Sequence, residues 1–71
     1  MPTFSQRMEE LRKKKGLSQK AVAEAVGITS RTYQRYEAGE REAAVSTLIR
    51  MADFYDVTVD YLVGRTDSEG M

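Results

Sequence analysis

The 71-residue chain has no cysteine and no histidine. Without cysteine there is no disulfide framework and no thiolate metal site. Without histidine the commonest general base and the commonest metal ligand are both missing. There is also no phosphate-binding glycine loop and no plausible carboxylate dyad, so the sequence predicts no enzyme, no metal, no cofactor and no small-molecule ligand. The single proline, Pro2, lies outside every expected helix. No apolar run approaches the roughly 20 residues needed to span a bilayer. The opening MPTFSQRMEELRKKK also lacks the apolar stretch of a secretory signal. The expectation is a small, soluble, cytoplasmic domain with no membrane partner, near the lower size at which a chain folds without staples.

Net charge is absent as well, with eleven basic and eleven acidic side chains. The charge is unevenly placed, however. Residues 1–39 hold eight Lys or Arg against four acids, a net +4, and residues 40–71 hold three against seven, a net −4. The positive half therefore coincides with the most informative stretch of the chain, and the acidic half would help to orient it in a phosphate field. Lys13, Lys14 and Lys15 belong either to that basic face or simply to a solvated helix end favoured by the macrodipole.

That stretch is QKAVAEAVGITSRTYQRY, Gln19 to Tyr36. Val22 and Val26 stand four apart and make one apolar helix face. Ala23 is small enough for a second helix to approach, and Gly27 can take the positive φ that ends the first helix and turns the chain. Ile28, Tyr33 and Tyr36 pack the second helix back. Ser30, Arg31, Thr32, Gln34 and Arg35 then stay outward as a polar face, which makes this a helix-turn-helix.

Five helices and no strand are expected overall, an all-α fold. The first runs from about Thr3 to Lys15 and stops at Gly16. Ser18 caps a second at about Gln19 to Val26, and Thr29 caps a third at about Ser30 to Ala38. A polar loop, Gly39 to Glu42, leads to a fourth helix, roughly Val45 to Tyr55, and Thr58 caps a short fifth, Val59 to Val63. Residues 1–66 form the domain and residues 67–71 a frayed polar tail. The expected core is thin: Phe4, Met8, Leu11, Leu17, Val22, Val26, Ile28, Tyr33, Tyr36, Val45, Leu48, Ile49, Ala52 and Leu62. Arg12 lies near the core edge and Glu37 closes the third helix. From spacing alone they are either a pair stapling the first helix to the third or two independent surface charges.

At the level of motifs, LRKKKGLSQ (Leu11–Gln19), the AxxVGI of Ala23–Ile28, YxxYExGER (Tyr33–Arg41) and VTVDYLVGRTD (Val57–Asp67) occur together. On these the chain resembles the phage repressor/Cro-like helix-turn-helix family, often called XRE, over about Met8 to Asp67. The resemblance implies a compact five-helix, lambda-repressor-like domain that binds operator DNA, usually as a homodimer, and regulates transcription. It also implies that Arg12 and Glu37 form a buried ion pair.

In such a domain the third helix enters the major groove with its N-terminal residues toward base edges. Ser30, Arg31, Thr32 and Arg35 are the candidate base contacts, and the arginine fork suits guanine O6 and N7. The resemblance gives Gln19 a grip on the phosphate backbone at the start of the second helix. Lys20 and Arg41 are further phosphate contacts. Gln34 is either a phosphate contact or merely solvated, and Tyr36 is either core alone or core with its hydroxyl at a phosphate. One recognition helix reads only a few base pairs, so two half-sites of a palindromic operator and a homodimer are expected. The candidate dimer surface is the corner between the last two helices: Phe54, Val57, Val59, Tyr61 and Val63, some of which must be core.

Three positions depart from the family pattern. Tyr33 stands where a β-branched aliphatic is more usual, so its hydroxyl needs a partner. Ala43-Ala44 replaces a Pro-Ser that often opens the fourth helix, with the loss of a cap contributing about 1 kcal/mol. Glu40 and Glu42 flank Arg41 in a loop that is commonly more basic. The leading expectation is a sequence-specific DNA-binding regulator, most simply a repressor of a mobile-element or stress-related operon. The alternative is a protein-interaction module of the same shape, such as an antitoxin or partner-docking domain. Whether the chain is complete or the amino-terminal piece of a longer regulator stays open.

Overall fold

The computed structural model describes residues 3–70; Pro2, and Met71 of the expected tail, fall outside the described residues. Among the described residues there are five helices and no strand: α1 (Phe4–Lys14), α2 (Gln19–Val26), α3 (Ser30–Glu37), α4 (Val45–Tyr55) and α5 (Val59–Leu62). Hydroxyl caps set four of the five starts. Thr3 is the cap of α1 rather than its first residue: its hydroxyl accepts from Gln6 N at 3.3 Å while Gln6 Oε1 accepts from Thr3 N at 2.9 Å. This is the reciprocal capping box, which satisfies two donors that a helix end leaves free. Ser18, Thr29 and Thr58 accept from Ala21, Thr32 and Tyr61 N at 3.0, 3.1 and 3.0 Å. Ala44 has no side chain to offer, and α4 starts without a side-chain cap.

The turn of the helix-turn-helix is made at Gly27, whose φ of 77° places it in the left-handed region. The chain then folds back so that Ile28 N donates to the Ala23 carbonyl at 3.0 Å, and α2 ends in the bonding pattern that left-handed caps allow. α3 packs against α2 and α1, α4 packs against α2 and α5, and α1 closes on α5. Met8, Val22, Tyr33, Met51 and Leu62 are the largest fully buried side chains.

The core differs from the expected one on α4. Val45 and Ile49, expected inside, are 71% and 47% exposed, while Met51 is fully buried. Helix α4 is apolar around most of its circumference, so more than one stripe at three- and four-residue spacing is available in VSTLIRMADFY. The stripe that faces α2 and α5 is Thr47, Leu48, Met51, Ala52 and Tyr55. Leu48 is only half-buried, as are Phe4, Leu17 and Ile28.

Beyond α5 the chain folds back on α1. Arg7 Nη2 reaches Asp67 Oδ1 at 3.0 Å, Lys14 Nζ reaches Glu69 Oε2 at 3.4 Å, and Thr58 N donates to the Glu69 carbonyl at 3.0 Å. The segment expected to fray thus has partners on α1 and at the start of α5.

Candidate nucleic-acid interface

The outward face of α3 follows from what its inward face buries. Tyr33 and Tyr36 point into the core, Tyr36 meeting Phe4 edge-to-face at a ring separation of 5.9 Å. Arg31, Gln34 and Arg35 are left exposed, with Ser30 and Thr32 half-buried at the helix start. Among the described residues nothing hydrogen-bonds the side chains of Arg31, Gln34 or Arg35, so the two guanidinium groups have every donor available to a ligand. Thr32 is partly engaged: its hydroxyl accepts from Thr29 at 2.8 Å and keeps its own proton to give.

A buried polar cluster holds this face in place. Arg12 of α1 donates from Nε to Glu37 Oε2 at 2.7 Å and from Nη2 to Oε1 at 3.0 Å, a two-pronged bond across to the end of α3. Its Nη1 also donates to the Leu17 carbonyl at 3.0 Å, tying in the turn between α1 and α2. The Glu37 side chain is 3% exposed. Burial works to raise its pKa, but the hydrogen bonds from Arg12 and Gln19, with the Tyr33 hydroxyl adding to them, outweigh this and hold the carboxyl below its ordinary range. The same hydrogen bond raises Arg12 further. Burial is also the main reason that the Tyr33 hydroxyl sits far above the ordinary phenol range and that Tyr55 is raised.

Gln19 belongs to this cluster. Its Nε2 donates to Glu37 Oε1 at 3.1 Å, which fixes the amide at the start of α2 and leaves one amide hydrogen and the carbonyl oxygen for other partners. Sequence reasoning placed Gln19 at the backbone of a nucleic acid and did not see this bond. It also missed the partner of Tyr33: the Tyr33 and Tyr55 hydroxyls lie 3.0 Å apart in the interior. Two tyrosines on inward faces, each needing a partner for its hydroxyl, were the available signal.

Lys20 is exposed on α2 near Gln19, and Arg41 is exposed in the loop before α4 with Glu40 and Glu42 exposed on either side. Tyr36 is buried, which makes it foremost a core residue. Two of the three consecutive lysines are taken up locally, Lys13 by Glu9 at 3.1 Å and Lys14 by Glu69, and Lys15 lies 5.7 Å from the Phe54 ring centroid. That arrangement is a solvated helix end more than a free basic patch. At the corner between α4 and α5, Phe54, Val57, Val59 and Val63 are half-buried. Tyr61, expected on the same surface, is instead 7% exposed and covered by the Arg7 guanidinium at 3.8 Å, because α1 closes over α5 there.

Comparison with known proteins agrees with this geometry. The family model described as Helix-turn-helix matches residues 8–62. The HTH-type transcriptional regulator AnsR of Bacillus subtilis is 44% identical over 59 residues, 83% of this chain and 51% of AnsR. The cryptic phage CTXphi transcriptional repressor RstR of Vibrio cholerae is 36% identical over 66 residues, 93% of this chain and 58% of RstR. Among solved structures, the P22 c2 repressor in complex with a synthetic operator superposes with a TM-score of 0.87 at 23% identity, covering 93% of this chain and 100% of that one. The last likeness is one of fold. The chain spans about half the length of the curated relatives it matches. With its five helices, its turn at Gly27 and a family match over most of its length, the chain belongs to the helix-turn-helix family.

Proposed function

We propose that this chain binds double-stranded DNA sequence-specifically and acts as a transcriptional repressor, with α3 in the major groove. The observation that carries the reading is the pair Arg31 and Arg35. Both are exposed and free of partners among the described residues, on a helix fixed from behind by Glu37 and Tyr33. Ser30 and Thr32 complete the base-facing set, and Gln19, Lys20, Gln34 and Arg41 flank it as phosphate contacts, with the Tyr36 hydroxyl as a lesser member. RstR, a transcriptional repressor by name, and the operator-bound P22 repressor support the same reading. On this reading the chain has no enzymatic activity and works in the cytoplasm.

A single α3 contacts too few base pairs for useful selectivity, so the functional unit we propose is a homodimer on a two-fold operator. Its contact would include Phe54, Val57, Val59 and Val63, extended by the exposed Val45 and Ile49 of α4. Selection of bound duplexes from a random pool tests the whole reading. The expected product is one enriched, two-fold symmetric sequence with half-sites about 34 Å apart. No enrichment at low salt, together with a stable complex with another protein, would favour the interaction-module alternative.

A further inference from the structure

We propose that the Tyr33–Tyr55 hydroxyl pair is a positioning device that fixes the rotation of α3 about its own axis, and so sets where Arg31 and Arg35 point. The proposal rests on the DNA-binding reading above.

The element whose rotation is at issue is α3. It is eight residues long and packs on α1 and α2, with little backbone contact to α4. Its two buried side chains are both aromatic, and apolar packing alone is not directional. Hydrogen bonds are directional. Tyr33 and Glu37 stand four residues apart, one above the other on the same helix face. Glu37 ties that face to Arg12 on α1 and Gln19 on α2, and Tyr33 ties it to Tyr55 at the end of α4. The two phenols lie within hydrogen-bond distance of each other, and either hydroxyl can be the donor. The hydroxyl pair is therefore the polar link that brings α4 into a cluster otherwise made by the first three helices.

The lever arm makes small rotations matter. A rotation of about 10° carries a group at the rim of a helix of about 10–12 Å diameter through about 1 Å. That is larger than the spread of good hydrogen-bond lengths, so a two-pronged arginine contact to a base would be lost before a diffuse phosphate contact. The pair is thus expected to govern selectivity more than general affinity.

The test uses the full chain with Y33F, Y55F and Y33F/Y55F, each at a temperature where it is folded. The specific probe is the duplex that the wild-type chain enriches from a random pool, and poly(dI-dC) is the non-specific one. The readout is the ratio of the two dissociation constants, with the melting midpoint recorded beside it. Each single variant leaves one hydroxyl without its partner, so both midpoint and ratio should fall, the ratio about fivefold. In the double variant both partners become apolar groups of matching shape, so the midpoint should recover while the ratio stays low. A double variant whose ratio stays within about twofold of wild type overturns the proposal, whatever the midpoints do. A wild-type chain that enriches no sequence is a different result: it removes the DNA-binding reading, and this proposal with it.

Discussion

The Arg7 guanidinium lies 3.8 Å from the centroid of the Tyr61 ring, and the same side chain reaches Asp67 at 3.0 Å. A buried arginine is thereby shared between an aromatic face and a carboxylate that is itself 90% exposed. The two partners are not equal. The ring contact is desolvated, whereas the Asp67 end is open to water and screened by salt. Arg7→Ala is expected to lower stability by about 1–3 kcal/mol, mainly through lost packing and the lost cation–π contact. Asp67→Ala should cost less than about 1 kcal/mol. Urea midpoints of the two variants check this, and equal losses would show that the ion pair, not the ring, holds Arg7. Arg7 Nε has no partner among the described residues. Arg7→Met, which keeps most of the stem and removes that orphan donor, should therefore lose less than Arg7→Ala.

The polar cluster behind α3 gives stability two pH limits. Glu37 is depressed in the folded state, so its contribution is present above the ordinary carboxylate range and is lost as pH falls through its folded value. Tyr33 and Tyr55 are raised, so their contribution is complete below the ordinary phenol value of about 10 and declines as pH climbs beyond it. Melting curves recorded from pH 2 to about pH 11 are expected to show a plateau bounded on both sides. Y33F should remove much of the alkaline decline and leave the acid one. An alkaline limb unchanged in Y33F would mean that the phenols are less buried than the fold places them.

Helix α4 is the least well-terminated element, and both ends can be improved. Ala44 sits at the cap position with extended backbone and no acceptor, so Ala44→Ser or Ala44→Asp should add about 0.5–2 kcal/mol. At the other end Asp56 takes φ 56° and ψ 47°, a left-handed conformation that glycine adopts without a Cβ penalty. Asp56→Gly is expected to be neutral to stabilising by up to about 1 kcal/mol. Gly27→Ala is the opposite case. The new Cβ would lie 3.2 Å from Arg50 Nη1, a side-chain end that can move, so the cost of about 1–2 kcal/mol comes from the positive φ itself. Thermal melts of the four variants separate these effects.

What could be read beforehand depended on whether the signal was local. The caps at Ser18, Thr29 and Thr58 and the turn at Gly27 are short-range chemistry, and helix ends fell within a residue of their expected places. The inward face of α4 was not legible, because Val45, Ile49 and Met51 are equally apolar and only the packing of α2 and α5 chooses among them. Tyr61 shows the same difficulty, since its burial depends on Arg7, more than fifty residues away in sequence. The Arg12–Glu37 bond came from the motif resemblance; spacing left two independent charges open. On the candidate interface, the exposure of Arg31 and Arg35 follows from the period of α3, whereas the bond from Gln19 to Glu37 joins two helices and has no local signature.

Base contacts and phosphate contacts respond differently to substitution and to salt. Arg35 projects from the exposed face of α3, one turn on from Arg31, while Lys20 lies exposed in the first turn of α2. If Arg35 grips a base edge, Arg35→Ala should cost about 1–3 kcal/mol on the selected duplex and much less on random DNA. Lys20→Ala should weaken both nearly alike and reduce the slope of log affinity against log salt by about 1. Glu40 and Glu42 repel the same backbone that Arg41 would approach, so Glu40→Gln with Glu42→Gln should tighten binding at low salt and lose that advantage as salt screens the loop. Fluorescence anisotropy across a salt series reads all three variants at once. Arg35→Ala and Lys20→Ala giving the same pattern on both DNAs would mean that α3 is a basic surface rather than a reader of sequence.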